Sequence, residues 1–147
     1  AMIPARRPPG FGKNPDIARL FPNFAEIERD LYKRSKIHPV MHLLAIKRDV
    51  YERNPWIATS LFKAFTEAKD YAVDLMRVSI TQSTMFPWHV DAFDEIETLM
   101  EGDPWPYGIE PNRSTLEAMI TYLHQQHMIS RKMPVEELFV PIKGLFD

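Results

Sequence analysis

Proline limits what this chain can fold into. Thirteen of its 147 residues are proline, about 9% where roughly 5% is usual. A helix accepts proline in its first turn but not in its interior, where the ring removes a hydrogen bond and clashes with the preceding turn. Helices must therefore lie between prolines. The longest interval runs from Trp56 to Phe86. There Asn54 can cap and Pro55 can take the first helical position. Ile57, Leu61, Phe65, Ala68, Ala72 and Leu75 then recur at helical spacing. The pattern predicts a helix from Pro55 to about Met76, then a loop at Thr81 to Thr84.

Three further stripes fill the other intervals. Val90, Phe93, Ile96, Leu99 and Met100 follow Pro87 and stop at Gly102 and Asp103-Pro104. Leu116, Met119, Ile120, Leu123 and His127 follow Pro111, with Ser114 and Glu117 resembling a capping box. Between Pro22 and Pro39, Asn23 can cap a helix carrying Phe24, Ile27 and Leu31. A short turn is expected at Val135 to Phe139, and a loose tail after Pro141.

Val40 to Ile46 (VMHLLAI) behaves differently. It is apolar on both faces, which suits a strand buried in a helix-covered parallel sheet. Ala1 to Ile3 reads as the end of a second strand. The expected class is α/β, mostly helical, with one or two buried strands. A buried strand needs neighbours for its backbone groups. Two strands and four helices fall short of that, so the chain reads as a portion of a larger protein.

Composition narrows the function. The chain is 45% hydrophobic and 26% charged, with a net charge of -2. The apolar share is enough for a core, and no basic footprint for nucleic acid is expected. There is no cysteine, which removes disulfides, thiolate metal sites and cysteine nucleophiles. No segment resembles a signal peptide, and no apolar run approaches the roughly 20 residues that span a bilayer. The expectation is a cytoplasmic protein that binds neither membrane nor nucleic acid.

Four constellations stand out. Arg6 and Arg7 lie between Pro4 and Pro8-Pro9. The guanidinium fork matches a carboxylate bidentately, although a solvated basic loop has the same sequence. His42 sits mid-run. If its face lines a cleft, its near-neutral titration suits a general acid or base; otherwise it is a core histidine with both nitrogens satisfied. Trp105, Tyr107, Glu110 and Arg113 share a proline-stiffened loop from Asp103 to Arg113, either a pocket wall or a packed connector. His124 and His127 stand three apart, but no carboxylate follows at a familiar offset, so a surface helix face is favoured over a metal site. Trp56, Phe62, Phe65 and Trp88 fall on helical stripes and read as core. No phosphate loop, G-x-S-x-G elbow or HExxH motif is present. Neither a cofactor nor a metal is called for.

In order along the chain, several segments resemble the 4,5-dihydroxyphthalate decarboxylase family. They are Pro39-Val-Met-His42, Ile46-Lys-Arg-Asp49-Val-Tyr51-Glu-Arg-Asn-Pro55-Trp56, and Leu61-Phe-Lys-Ala64-Phe65 with Glu67 and Ala68. Trp105-Pro-Tyr107-Gly108-Ile-Glu110-Pro-Asn112-Arg113 and Glu136-Glu-Leu-Phe139 complete the set. Ser35-Lys36 departs from the Thr-Gly pair usual in that family.

The resemblance implies a type II periplasmic-binding-protein-like fold, in which two α/β lobes close on a ligand. This chain would be the C-terminal portion. Residues 1–39 would end the second lobe, with the arginine loop and one helix. Residues 40–147 would supply the crossover strand and helices packed on the first lobe. The implied activity is non-oxidative decarboxylation of a hydroxylated aromatic dicarboxylic acid. His42 would be the general acid, and Arg6 and Arg7 would hold the spared carboxylate. Trp105, Tyr107, Glu110 and Arg113 would line the cleft. The implied partners are the aromatic carboxylate, the missing N-terminal portion and a possible second copy. The runner-up is a solute-binding protein of the same fold, taking an aromatic or other small organic anion for a transporter, and then periplasmic. A stand-alone helical interaction domain comes third.

Overall fold

The computed structural model describes residues 2–4, 6–77 and 85–142. Five α-helices and one 3-10 turn make up its regular structure: α1 (Phe24–Ser35), α2 (Arg48–Arg53), α3 (Trp56–Arg77), α4 (His89–Leu99), α5 (Ile109–Gln125) and the turn Val135–Leu138. All four expected helices and the expected turn are present. Each described proline lies outside a helix, except Pro111 in the first turn of α5. The loop expected at Thr81 to Thr84, Ala1, and the tail from residue 143 lie outside the described residues.

Local chemistry shifts some of the expected caps. Asn54 does not bond the start of α3 through its side chain. Its amide donates back to the Val50 carbonyl (3.4 Å) at the end of α2, and its own carbonyl receives the Ile57 N–H (3.0 Å). Six residues were too few for α2 to show a stripe. Ser114 lies inside α5, so it forms no capping box; the N-cap is Gly108, at φ 101. α4 and α5 close with the six-to-one bond of a Schellman motif: Gly102 N–H to Glu97 O (2.8 Å) and Met128 N–H to Leu123 O (2.9 Å).

The expected α/β class is overturned. Among the described residues there is no strand and no sheet. Val40 to Ile46 has no regular secondary structure and is exposed apart from half-buried Ile46, and Met2 and Ile3 are exposed as well. The physical reason is that a strand forms only with a neighbour to complete its ladder. The described residues offer no neighbour to this segment.

Packing is sparse. Leu116 and Ile120 on α5 are buried against Val135, with Ile109, Ile129 and Phe139 around them. Ala58 on α3 is the other buried apolar side chain among the described residues. α3 packs on α2 and α4, while α5 packs on the 3-10 turn. α1 is tied to α4 by exposed ion pairs, Arg29–Glu95 (3.0 Å) and, just past the helix ends, Lys36–Glu101 (2.6 Å). The stripe residues expected in the core face outward instead: Trp56 is 66% exposed, Trp88 80%, and Phe65 is also exposed. The accessible surface is 12372 Å², against roughly 7,800 Å² for a folded monomer of this mass.

Candidate functional site

The aromatic loop between α4 and α5 is the best-organised candidate. Asp103 starts it with two bonds. One carboxylate oxygen accepts the Trp105 N–H (2.9 Å), and the other accepts the Lys69 ammonium (2.7 Å). Lys69 and Phe62 are seven residues apart, so they share one face of α3. Both meet Tyr107. The Phe62 ring stands edge-on to it at 6.3 Å, and the Lys69 ammonium lies 5.3 Å from its ring centre. The Lys69 side chain is only 12% exposed. Burial pulls its pKa down, but hydrogen bonds and charges from Asp103 and Asp70 outweigh this and leave it raised.

The far end of the loop is held by Asn112. Its amide donates to the carbonyls of Pro106 (2.7 Å) and Gly108 (2.9 Å). On the other side, the His38 ring meets Trp105 edge-on at 6.2 Å and Tyr32 at 6.5 Å. The His38 N–H donates to the hydroxyl of buried Thr115 (3.1 Å). The loop is therefore a fixed wall joining α3, α5 and the segment after α1.

Arg113 is held by carboxylates. Its guanidinium bonds Glu110 (2.6 Å), Glu117 (3.4 Å) and Glu136 (2.6 Å). Hydrogen bonds to Glu110 and Glu136 raise its pKa further. The same bonds hold the Glu110 and Glu136 carboxyls below the usual carboxylate range. With three carboxylates on it, Arg113 fastens the 3-10 turn to α5.

Arg6 and Arg7 are exposed. Arg7 lies over the Phe11 ring at 5.6 Å, and Arg19 lies over the same ring at 5.3 Å and over Phe24 at 4.2 Å. The following residues turn tightly around Gly10, at φ 82, whose carbonyl accepts from Lys13 (2.9 Å) and Asn14 (2.8 Å). Neither Arg6 nor Arg7 has an ion-pair partner among the described residues. His42 is exposed on the segment from Val40 to Ile46, also without a bonded partner among the described residues.

Glu110 is bonded to Arg113, while Trp105 and Tyr107, in the loop before them, pack on His38, Phe62 and Lys69; no hydrogen bond, ion pair or ring contact among the described residues joins these four to Arg6, Arg7 or His42. Of these residues only Arg113 lines either of two open clefts found among the described residues. One of about 320 Å³ has Lys69, Asp70, Asp74, Arg77 and Asp103 in its wall, and one of about 360 Å³ lies beside Arg113 and Glu136. No group of three or more metal-ligating side chains stands together among the described residues. Sequence reasoning missed Lys69, His38 and Thr115. The seven-residue spacing of Phe62 and Lys69 was a usable signal. The bond from His38 to Thr115 spans 77 positions and left no local one.

No family model matches the chain. It is 32% identical over 143 residues to a protein of Comamonas testosteroni described as 4,5-dihydroxyphthalate decarboxylase. The match covers 95% of this chain and 43% of that protein. The chain is therefore a distant relative of that decarboxylase and spans less than half of its length.

Proposed function

We propose that this chain is part of a carboxy-lyase that removes one carboxylate, without oxidation, from a hydroxylated aromatic dicarboxylic acid such as 4,5-dihydroxyphthalate. The supporting observation is the similarity to the decarboxylase, which runs along 95% of the chain. The reaction belongs to the longer polypeptide. The ring hydroxyl para to the leaving carboxylate pushes electron density onto the carbon that bears it. The His42 imidazolium gives its proton to that carbon. The bond to the carboxylate then breaks, its electron pair restores the aromatic ring, and carbon dioxide leaves. Solvent returns a proton to the imidazole. Arg6 and Arg7, free of carboxylate partners among the described residues, hold the spared carboxylate. Trp105 and Tyr107 supply a rigid wall, and Glu110 with Arg113 braces it.

The test is to incubate the complete polypeptide with 4,5-dihydroxyphthalate and measure carbon dioxide and the dihydroxy monoacid. Stoichiometric formation of both is expected. Tight binding without turnover would overturn the enzyme reading in favour of a solute-binding protein. His42→Gln is expected to lower kcat by about 10²–10⁴-fold with little change in KM, the usual size of a general-acid contribution. An undiminished kcat would remove His42 from the chemistry.

A further inference from the structure

We propose that Arg19, held against the rings of Phe11 and Phe24, is a further substrate-binding residue, and that it shares with Arg7 the spared carboxylate of the aromatic acid. The identity of that acid rests on the decarboxylase reading; the carboxylate chemistry rests on the residues themselves.

The loop brings the two arginines together. Pro8 O accepts the Phe11 N–H (3.2 Å), Gly10 O accepts the Lys13 and Asn14 N–H groups, and Asn14 O accepts the Ile17 N–H (3.1 Å). The Asn14 side chain also accepts the Asp16 N–H (2.9 Å). These turns fold the chain back, so Arg7 and Arg19 reach the same ring although the loop separates them in sequence. Their guanidinium carbons lie 5.6 and 5.3 Å from the centre of Phe11. Two points so near one centre are less than about 11 Å apart, and one carboxylate held between two forks needs roughly 8 Å or less.

Stacking leaves the donors of both side chains unused. Arg19 lies closest to Phe24, at 4.2 Å. A ring covers the face of a guanidinium, while the N–H groups point outward in its plane. Neither Arg7 nor Arg19 donates a hydrogen bond or pairs with a carboxylate among the described residues. Arg29, Arg53, Arg77, Arg113 and Arg131, in contrast, each hold a carboxylate. The two rings restrict Arg19 before a ligand arrives, which lowers the ordering cost of binding. Charge is segregated here as well. Residues 1–25 carry Arg6, Arg7, Lys13 and Arg19 against Asp16 alone, on a chain whose net charge is -2. That local excess attracts an anion.

Phthalate has both carboxylates but no hydroxyl to drive turnover, so its binding to the complete polypeptide is the test, followed by calorimetry. Arg19→Gln is expected to raise its dissociation constant about 10–100-fold, the usual weight of hydrogen bonds to a charged group. A wild type that does not bind phthalate, or a variant that binds it as tightly, would overturn the inference. In turnover the same variant should raise KM by a similar factor and keep kcat within about threefold, as expected when binding common to substrate and transition state is lost. Turnover by the wild type with KM unchanged in Arg19→Gln would sink the inference and leave the decarboxylase standing. Phthalate binding that depends on Arg19, with no turnover of 4,5-dihydroxyphthalate, would do the reverse. Where Arg19→Gln does not fold, Phe11→Leu keeps both guanidiniums and removes the ring they share. It is expected to weaken phthalate about 3–10-fold, and an unchanged affinity would count against the inference.

Discussion

Asn112 shows how much one side chain can fix. It follows a proline in the first turn of α5, and both of its amide hydrogens are spent on carbonyls of the preceding loop. Trp105 and Tyr107 keep their positions because that loop cannot open. Asn112→Ala leaves two half-buried carbonyls without donors. A net hydrogen bond contributes about 0.5–1.5 kcal/mol, so the expected loss is about 1–3 kcal/mol. It should be read as a lower urea midpoint with an unchanged slope. Asn112 belongs to the Trp105–Arg113 motif on which the sequence resemblance rests, but its role is legible only once the loop is seen folded back on it. Glu110 and Arg113 show the reverse: three residues apart on a helix, they were bound to meet. Arg6 and His42 are far apart in sequence, and no short-range rule decides whether they meet.

At the scale of elements, α1, α4 and α5 each end on a residue other than glycine in the left-handed region. These are Lys36 (φ 55), Glu101 (φ 62) and His127 (φ 58). That conformation costs a side-chain-bearing residue roughly 1–2 kcal/mol. His127→Gly is expected to stabilise the chain by about 1 kcal/mol in a denaturant titration. Lys36→Gly relieves the same strain but removes the ion pair to Glu101, so its gain should be smaller. The Ser35-Lys36 departure from a Thr-Gly pair thus falls where glycine is easiest, and the exposed ion pair offsets only part of the difference.

The joint between α5 and the 3-10 turn responds to acid. Arg113 lowers the pKa of Glu110 and Glu136 in the folded chain. Their contribution is complete above the ordinary glutamate range and disappears as pH falls through the lowered folded values. Stability followed by chemical unfolding should therefore fall with acid in that window, and Arg113→Met should flatten the fall. The helices were legible because prolines and apolar stripes are local. The apolar segment at 40–46 was misread because the same composition serves a buried strand or a surface awaiting cover. Only tertiary neighbours separate the two.

For the molecule as a whole, folding removes roughly half of the extended chain's surface, where about two thirds is usual at this size. The urea dependence of unfolding scales with surface exposed, so its slope should lie about a quarter below that of an ordinary 147-residue domain. A slope of ordinary size would mean that the outward apolar faces are packed away in solution. In the complete polypeptide the slope per residue should return to the usual value.

The exposed span at 40–46 also has a cost in time. Its seven residues carry no Asp, Glu, Lys, Arg or Pro, and His42 is their one titratable group, the profile of a segment that sticks to its own kind. Pro39 stands on one side, and Lys47 and Arg48 on the other, the positions where gatekeeper residues slow such association. During synthesis these flanks set how long a newly made chain avoids self-association or capture by a chaperone.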